Sequence, residues 1–170
     1  MHLDIFTERG QRSLRDETRM STSLELIYGY RYISTPKDQP AVSDALILSG
    51  NQIYAVAETK CRYDMDCAND FFDGEYNSEW LLTFEKYMKN CDVARALCVP
   101  LVGIIVIPNS NEWLVKRLYD GASNTHLAHI RLDTTRTRAT INGGNAIRTN
   151  AFIDMRGAKV NKLLGETHGH

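Results

Sequence analysis

The stretch Asp44-Ala-Leu-Ile-Leu-Ser-Gly-Asn-Gln-Ile-Tyr-Ala-Val-Ala-Glu-Thr-Lys60 decides how this chain is read. Two short apolar runs, Ala45 to Leu48 and Ile53 to Ala57, flank Ser49-Gly50-Asn51, the pattern of two strands joined by a tight turn. A carboxylate stands at the head of the first strand and a Glu-x-Lys triplet at the end of the second. Strand side chains alternate, so Glu58 and Lys60 share a face and Thr59 points away. An antiparallel neighbour can bring Asp44 beside Glu58. Two such carboxylates supply the hard oxygen ligands that Mg²⁺ prefers, and a metal held there lowers the pKa of a bound water and stabilises charge on a phosphate. A lysine one strand-step beyond the ligand can orient that water or neutralise the developing charge.

Glu-x-Lys alone says little, because the composition, with 21 acids in 170 residues, generates about one such triplet by chance. Its context says more. The triplet ends an apolar run, where a strand leaves the core and unemployed charges are costly; a half-buried Glu58–Lys60 ion pair is the plain structural alternative. With Asp44 upstream, the stretch resembles the PD-(D/E)xK phosphodiesterase superfamily of restriction endonucleases, junction resolvases and recombination exonucleases. The resemblance runs from about Leu24 to Ile107, with Ser43 where the signature proline would stand. It implies a restriction-endonuclease-like fold, a mixed α/β domain with a central sheet flanked by helices. It also implies that Asp44 and Glu58 bind the metal, that Lys60 is the catalytic lysine and that Glu25, on the preceding helix, matches an additional glutamate. Glu17, two turns earlier, is the rival for that last role. Glu25 is preferred because Leu24 and Leu26 flank it, whereas Glu17 sits among Arg15, Asp16 and Arg19 with nothing apolar to anchor it.

Outward from this centre, Glu8 to Arg19 is almost wholly polar and reads as an arm or frayed helix, with Arg9, Arg12, Arg15 and Arg19 recurring near one helical face. Met20, Leu24, Ile27 and Tyr28 form a helical stripe that predicts a packed helix ending by Thr35, before Pro36. Downstream, Arg62 to Glu79 is acidic and irregular. Trp80, Leu81, Phe84, Tyr87 and Met88 predict a helix that starts at Asn77 or Ser78. Leu101 to Ile107 is a β-branched run expected to be a strand covered on both faces. Leu114, Val115, Leu118 and Tyr119 predict a second short helix, capped by Ser110 or Asn111 and stopped by Gly121. His126 to Leu132 reads as a strand, and residues 137–153 read as a hairpin around Asn142-Gly143-Gly144. This order indicates one domain over residues 1–170, with residues 165–170 expected to be a disordered tail that carries His168 and His170.

Composition narrows the function classes. A hydrophobic content of 43% in 170 residues suffices for a core without staples. The four cysteines, Cys61, Cys67, Cys91 and Cys98, form no CxxC pair. They are expected to be reduced thiols of a cytoplasmic protein, and neither an iron–sulfur cluster nor a membrane span is supported. No glycine-rich phosphate loop and no Gly-x-Ser-x-Gly elbow is present. The acidic stretch Asp64, Asp66, Asp70, Asp73, Glu75 and Glu79 lacks the spacing of a Ca²⁺ loop; it reads as a solvated loop that should lie away from a phosphate backbone or move on binding. His126 and His129 fall on opposite strand faces and carry no assignment.

Charge is uneven: residues 1–90 hold 10 Lys/Arg against 15 Asp/Glu, and residues 91–170 hold 10 against 6. Arg131, Arg136 and Arg138 form the best basic cluster for nucleic acid, with Lys86 and Lys89 as further candidates on the polar side of a helix. The expected activity is hydrolysis of DNA phosphodiester bonds with Mg²⁺ or Mn²⁺, directed at DNA structure or ends, as in a junction resolvase or a replication and recombination nuclease. RNA and a homodimer stay open. Two other classes remain beside it: a nuclease-like binding module without turnover, and an assembly protein whose ionic triplet only finishes a strand.

Overall fold

A computed structural model of the chain describes residues 6–37, 41–136 and 147–164. Helix α1 (Glu8–Tyr28) starts where the Thr7 side chain accepts a hydrogen bond from Gly10 N at 3.0 Å, an N-cap that satisfies one orphan amide. The polar arm and the apolar stripe are thus one helix, held by Met20 and Leu24 on its buried side. It stops at Gly29, which takes a left-handed φ of 71° and returns its N–H to Glu25 O at 2.8 Å. The chain then turns into β1 (Tyr30–Ser34), so the expected continuation of the helix to Thr35 is corrected. Past the glycine, Tyr30, Tyr32 and Ile33 suit a pleated surface better than a helix.

Strands β2 (Ala45–Ser49) and β3 (Gln52–Cys61) form the expected hairpin, with Gly50 at φ 57° in its turn. The acidic segment holds a short helix α2 (Ala68–Asp73). Residues 79–83 form strand β4 (Glu79–Thr83), and only then does α3 (Phe84–Ala96) begin. β5 (Pro100–Ile107) follows, and Leu101 to Ile107 are buried on both faces, as expected. After a single 3₁₀ turn, residues expected to be helical instead form β6 (Glu112–Asp120). The remaining strands are β7 (Thr125–His126), β8 (Ile130–Arg136), β9 (Ile147–Asp154) and β10 (Lys159–Lys162). β9 falls on the second arm of the expected late hairpin, whose first arm, residues 137–141, and turn lie outside the described residues, as do the tail and its histidines; β9 pairs with β8, which overlaps the end of the strand expected over His126 to Leu132.

The central sheet is mixed, ordered β1-β2-β3-β5-β6-β10, with β7 also on β6; β3 and β5 are its parallel pair. α1 covers one face, over Ala55, Ala57, Ile104 and Trp113. The other face, over Val56, Ile105 and Leu118, is covered by α2, α3 and a smaller antiparallel sheet ordered β4-β9-β8. The architecture is therefore mixed α/β, a central sheet flanked by helices. Beside Glu58 on the parallel strand lies Gly103, where a Cβ would stand 2.9 Å from Leu118 Cδ1 and overlap the Trp80 ring. A side chain there would displace the packed core next to Glu58. Among the described residues no helix is long and apolar enough to cross a membrane.

Candidate active site

β3 runs between β2 and β5 and carries Glu58 and Lys60 toward the α3 face, two residues apart as the pleat requires. Asp44 immediately precedes β2. Its amide donates to Ala57 O at 3.1 Å and its Oδ2 accepts from Thr59 N at 2.9 Å, which pins the carboxylate against the backbone on either side of Glu58. The expected pair of carboxylates is thus brought together by the hairpin register, in which Ala45 faces Ala57.

Between them stands Lys86, in the first turn of α3. Its Nζ pairs with Glu58 Oε1 and lies 3.4 Å from Asp44 Oδ1. One helical turn later, Asn90 donates to Glu58 Oε2 at 3.3 Å and to Lys86 O at 3.0 Å, and its own Oδ1 is buried without a partner. Glu58 is only 4% exposed. Burial and then the Asp44 charge push its carboxyl up to about 8, against the pull of Lys86. Burial opposes the charge on Lys86 too, but Glu58 and Asp44 outweigh it and raise the ammonium above its ordinary range. Lys60 is pushed the other way, down to about 8, by burial and then by Arg62, with Glu58 acting against them. It lines a cavity of about 300 Å³ together with Arg62, Glu75, Tyr76, Glu79, Leu81 and Phe152.

The structure does not bring Glu25 to this cluster. Glu25 is exposed on α1, and eight residues of helix separate it from Glu17 by about 12 Å along the axis. Glu17 is the acid that α1 delivers. Its Oε1 accepts from Tyr32 OH at 2.8 Å and pairs at 3.1 Å with Lys37 Nζ, which also donates to Asp44 O at 3.2 Å. Tyr32 OH in turn lies 2.9 Å from Thr59 Oγ1, so Glu17 reaches the site from the α1 face of the sheet.

The outlying basic residues divide. Lys86 belongs to the carboxylate cluster, and the exposed Lys89 pairs with Glu85 at 2.6 Å. Arg131 forks onto Glu79 at 3.1 and 2.8 Å and lies over the Phe152 ring at 4.1 Å, a contact that ties β8 to β4 and β9. Arg136 is exposed at the end of β8, and Arg138 lies outside the described residues. The acidic segment does not lie apart, since Glu75 and Glu79 wall the Lys60 cavity. Asp70 caps its own helix by accepting from Asp66 N and Cys67 N at 2.8 and 3.0 Å, and Asp64 accepts from Tyr76 OH. Among the described residues no group of three or more His, Cys, Asp or Glu converges as a metal site.

Sequence reasoning missed Lys86, Asn90, Lys37 and Glu17 as members of one network. Asn90 carries the clearest signal. It is a fully buried amide on the inner face of a helix whose other buried residues are Tyr87, Cys91 and Ala94. A polar break in such a face needs a partner.

No family model and no curated protein matches this chain. Among solved structures it is similar to Hjc, a Holliday junction resolvase of the archaeal hyperthermophile Archaeoglobus fulgidus. The TM-score is 0.45 and the identity 14%, over 61% of this chain and 75% of that one. At that distance the likeness assigns neither substrate nor activity, and the residues of the site carry the functional reading.

Proposed function

We propose that this protein is a metal-dependent nuclease that hydrolyses phosphodiester bonds of DNA, directed at DNA structure or ends. One observation carries the reading: two carboxylates, Asp44 and Glu58, converge on a single cation position, with Lys60 next along the same strand face. The donor set fits Mg²⁺ or Mn²⁺, which is commonly held by one or two carboxylates with water and substrate phosphate completing the shell. The buried, unpartnered Asn90 Oδ1 beside Glu58 is an acceptor suited to a water in that shell. When bound, the metal would polarise the phosphate and acidify a water. Asp44, its carboxylate held by the Thr59 amide, and Glu58 would hold the cation, with Glu58 binding it in its deprotonated form. Lys60, with its ammonium weakened toward neutrality, stands ready to orient the water or meet charge on the phosphate. Lys86 stands between the two carboxylates in the position such a cation would take, its side chain a third exposed.

The Lys86 ammonium also supports a second reading, a nuclease-like binding module whose cation position is filled from within. One experiment separates the two. Linear, nicked, branched and single-stranded DNA, and RNA, are incubated with the protein in Mg²⁺ and in Mn²⁺, and metal affinity is titrated in parallel. Cleavage with saturable metal binding supports the nuclease. Retention of every substrate, together with metal binding that appears only in Lys86→Ala, supports the module.

A further inference from the structure

Beyond Lys60, where β3 gives way to Arg62, the surface opens into a cavity of about 570 Å³ lined by Arg9, Arg12 and Arg62 together with Tyr63. We infer that this cleft binds a phosphate of the nucleic-acid backbone, flanking the one that is cleaved; the inference rests on the nuclease reading above. Arg12 lies over the Tyr63 ring at 4.1 Å and Arg62 over the Tyr76 ring at 4.8 Å. Stacking fixes each guanidinium plane while leaving its edge donors free for a planar or tetrahedral oxyanion. None of the three arginines forms an ion pair with a described residue, whereas Arg19, Arg95, Arg131 and Arg156 each sit on a carboxylate. Arg62 Nε is buried with no hydrogen-bond partner, a charged donor left for a bound anion or water.

Two acids share the rim, Asp64, which accepts from Tyr76 OH, and Glu8 in the first turn of α1, and against the three guanidinium groups they leave the lining with an excess of one positive charge. Arg9 and Arg12 come from that same first stretch of helix, whereas Arg19, further along it, pairs with Asp16. Arg62 lines both this cleft and the Lys60 cavity, so the cleft opens beside the site, just past the end of the strand that carries Glu58 and Lys60, where a neighbouring phosphate of the same backbone would lie.

The test uses Arg9→Gln/Arg12→Gln, two exposed positions whose replacement leaves the core untouched, with Arg62→Lys as a second variant that keeps charge and loses the fork. Affinity for a DNA oligonucleotide is measured in EDTA across a salt series, and cleavage is measured separately in Mg²⁺ and Mn²⁺. The double variant should bind about tenfold more weakly, with a log–log salt slope shallower by about one, the signature of one lost phosphate contact. Inorganic phosphate should raise the melting temperature of the wild type and not that of the double variant. Unchanged affinity and slope in a wild type that cleaves would overturn the cleft and leave the nuclease standing. Loss of affinity in the variant beside a wild type that binds but never cleaves would do the reverse. Stabilisation by free phosphate with no oligonucleotide binding to the wild type would overturn the backbone assignment.

Discussion

Two strand carboxylates, Glu58 and Glu112, begin from the same chemistry and end in opposite states. Neither side chain is open to solvent, 5% and 14% exposed, but burial weighs most on Glu58, whereas at Glu112 the Lys162 contact outweighs it. Their donors differ as well. Glu112 accepts from Ala68 N at 2.8 Å, Ser110 Oγ at 2.9 Å and Lys162 Nζ at 2.7 Å. The Lys162 contact above all holds its carboxyl below the usual range against burial. Glu58 has Lys86, a longer contact from Asn90 and a second carboxylate at its side, and it is pushed up to about 8. A carboxylate with all its donors is a structural fastening. One left short of donors beside another acid is held ready for a proton or a cation.

The largest expected effect lies on the poised side of this contrast. Glu58→Ala should abolish tight metal binding and lower cleavage by about 100-fold or more, whereas Lys60→Ala should remove cleavage at a similar scale and leave metal affinity near wild type. Single-turnover cleavage and a metal titration read the two separately. If Lys60→Ala keeps more than about a tenth of the wild-type rate, a barrier change under ~1.4 kcal/mol, Lys60 has no part in the chemistry.

Stability against pH tests the same carboxylate without any substrate. Glu58 has a folded pKa of about 8 against an ordinary 4.5, so in the metal-free protein its contribution is fully present below 4.5 and is lost as pH rises through 8. Lys60 runs oppositely and later, because its folded value of about 8 lies below 10.5; its contribution is present above 10.5 and lost as pH falls through 8. Between pH 5 and 8 the melting temperature of Glu58→Gln relative to wild type should therefore climb, by on the order of 5 °C. A flat difference across that window would mean that Glu58 is as well satisfied as Glu112.

The fastened carboxylate should behave in the complementary way. Glu112→Gln loses charge-assisted contacts from Ser110 and Lys162, which should cost about 1–3 kcal/mol of stability and leave cleavage unchanged. Its folded pKa is lowered from 4.5, so the deficit should be present above that value and fade as pH falls through the folded pKa. Chemical denaturation at pH 7 and at pH 3 measures both ends. A variant as stable as wild type at pH 7 would show that hydrogen bonds to Glu112 are not what distinguishes it.

The same contrast explains what could be read from the sequence. Asp44, Glu58 and Lys60 lie on a hairpin of local contacts, where alternation and a glycine turn specify the register, so their meeting was legible. β5 was legible too, as a run buried on both faces. The strands that imitate helices do so for different reasons. β4 pairs with β9 some 70 residues later, and nothing near Trp80 and Leu81 announces that. β6 carries a register irregularity opposite Leu101 and Val102 that sends both Leu118 and Tyr119 into one core. Added to burial on both faces, this makes the spacing of Leu114, Val115, Leu118 and Tyr119 imitate a helix. Lys86 reads in the sequence as a candidate phosphate contact on the polar side of its helix, because the partners that claim it are 28 and 42 residues away.

The smallest effect concerns α1, where structure and sequence choose different glutamates. Leu24 does anchor the helix, but it is buried at 3% while its neighbour Glu25 points to solvent. An apolar flank on a helix marks the residue one step away as turned outward by about 100°. Glu17 needs no apolar anchor, since Tyr32 and Lys37 hold it. On the nuclease reading its part is positioning: it keeps Lys37 Nζ at 3.1 Å, while the same ammonium stands 4.0 Å from Asp44 Oδ1. In Glu17→Gln that hold weakens, Lys37 can close on Asp44, and a cation then competes for a metal ligand. The expected result is a few-fold weaker apparent Mg²⁺ affinity, with turnover restored at saturating metal, a pattern that simple loss of stability would not produce. Glu25→Gln should be silent in both measurements. If Glu25→Gln instead slows turnover at every metal concentration while Glu17→Gln changes nothing, the network through Lys37 does not act on Asp44, and α1 reaches the site through its other face.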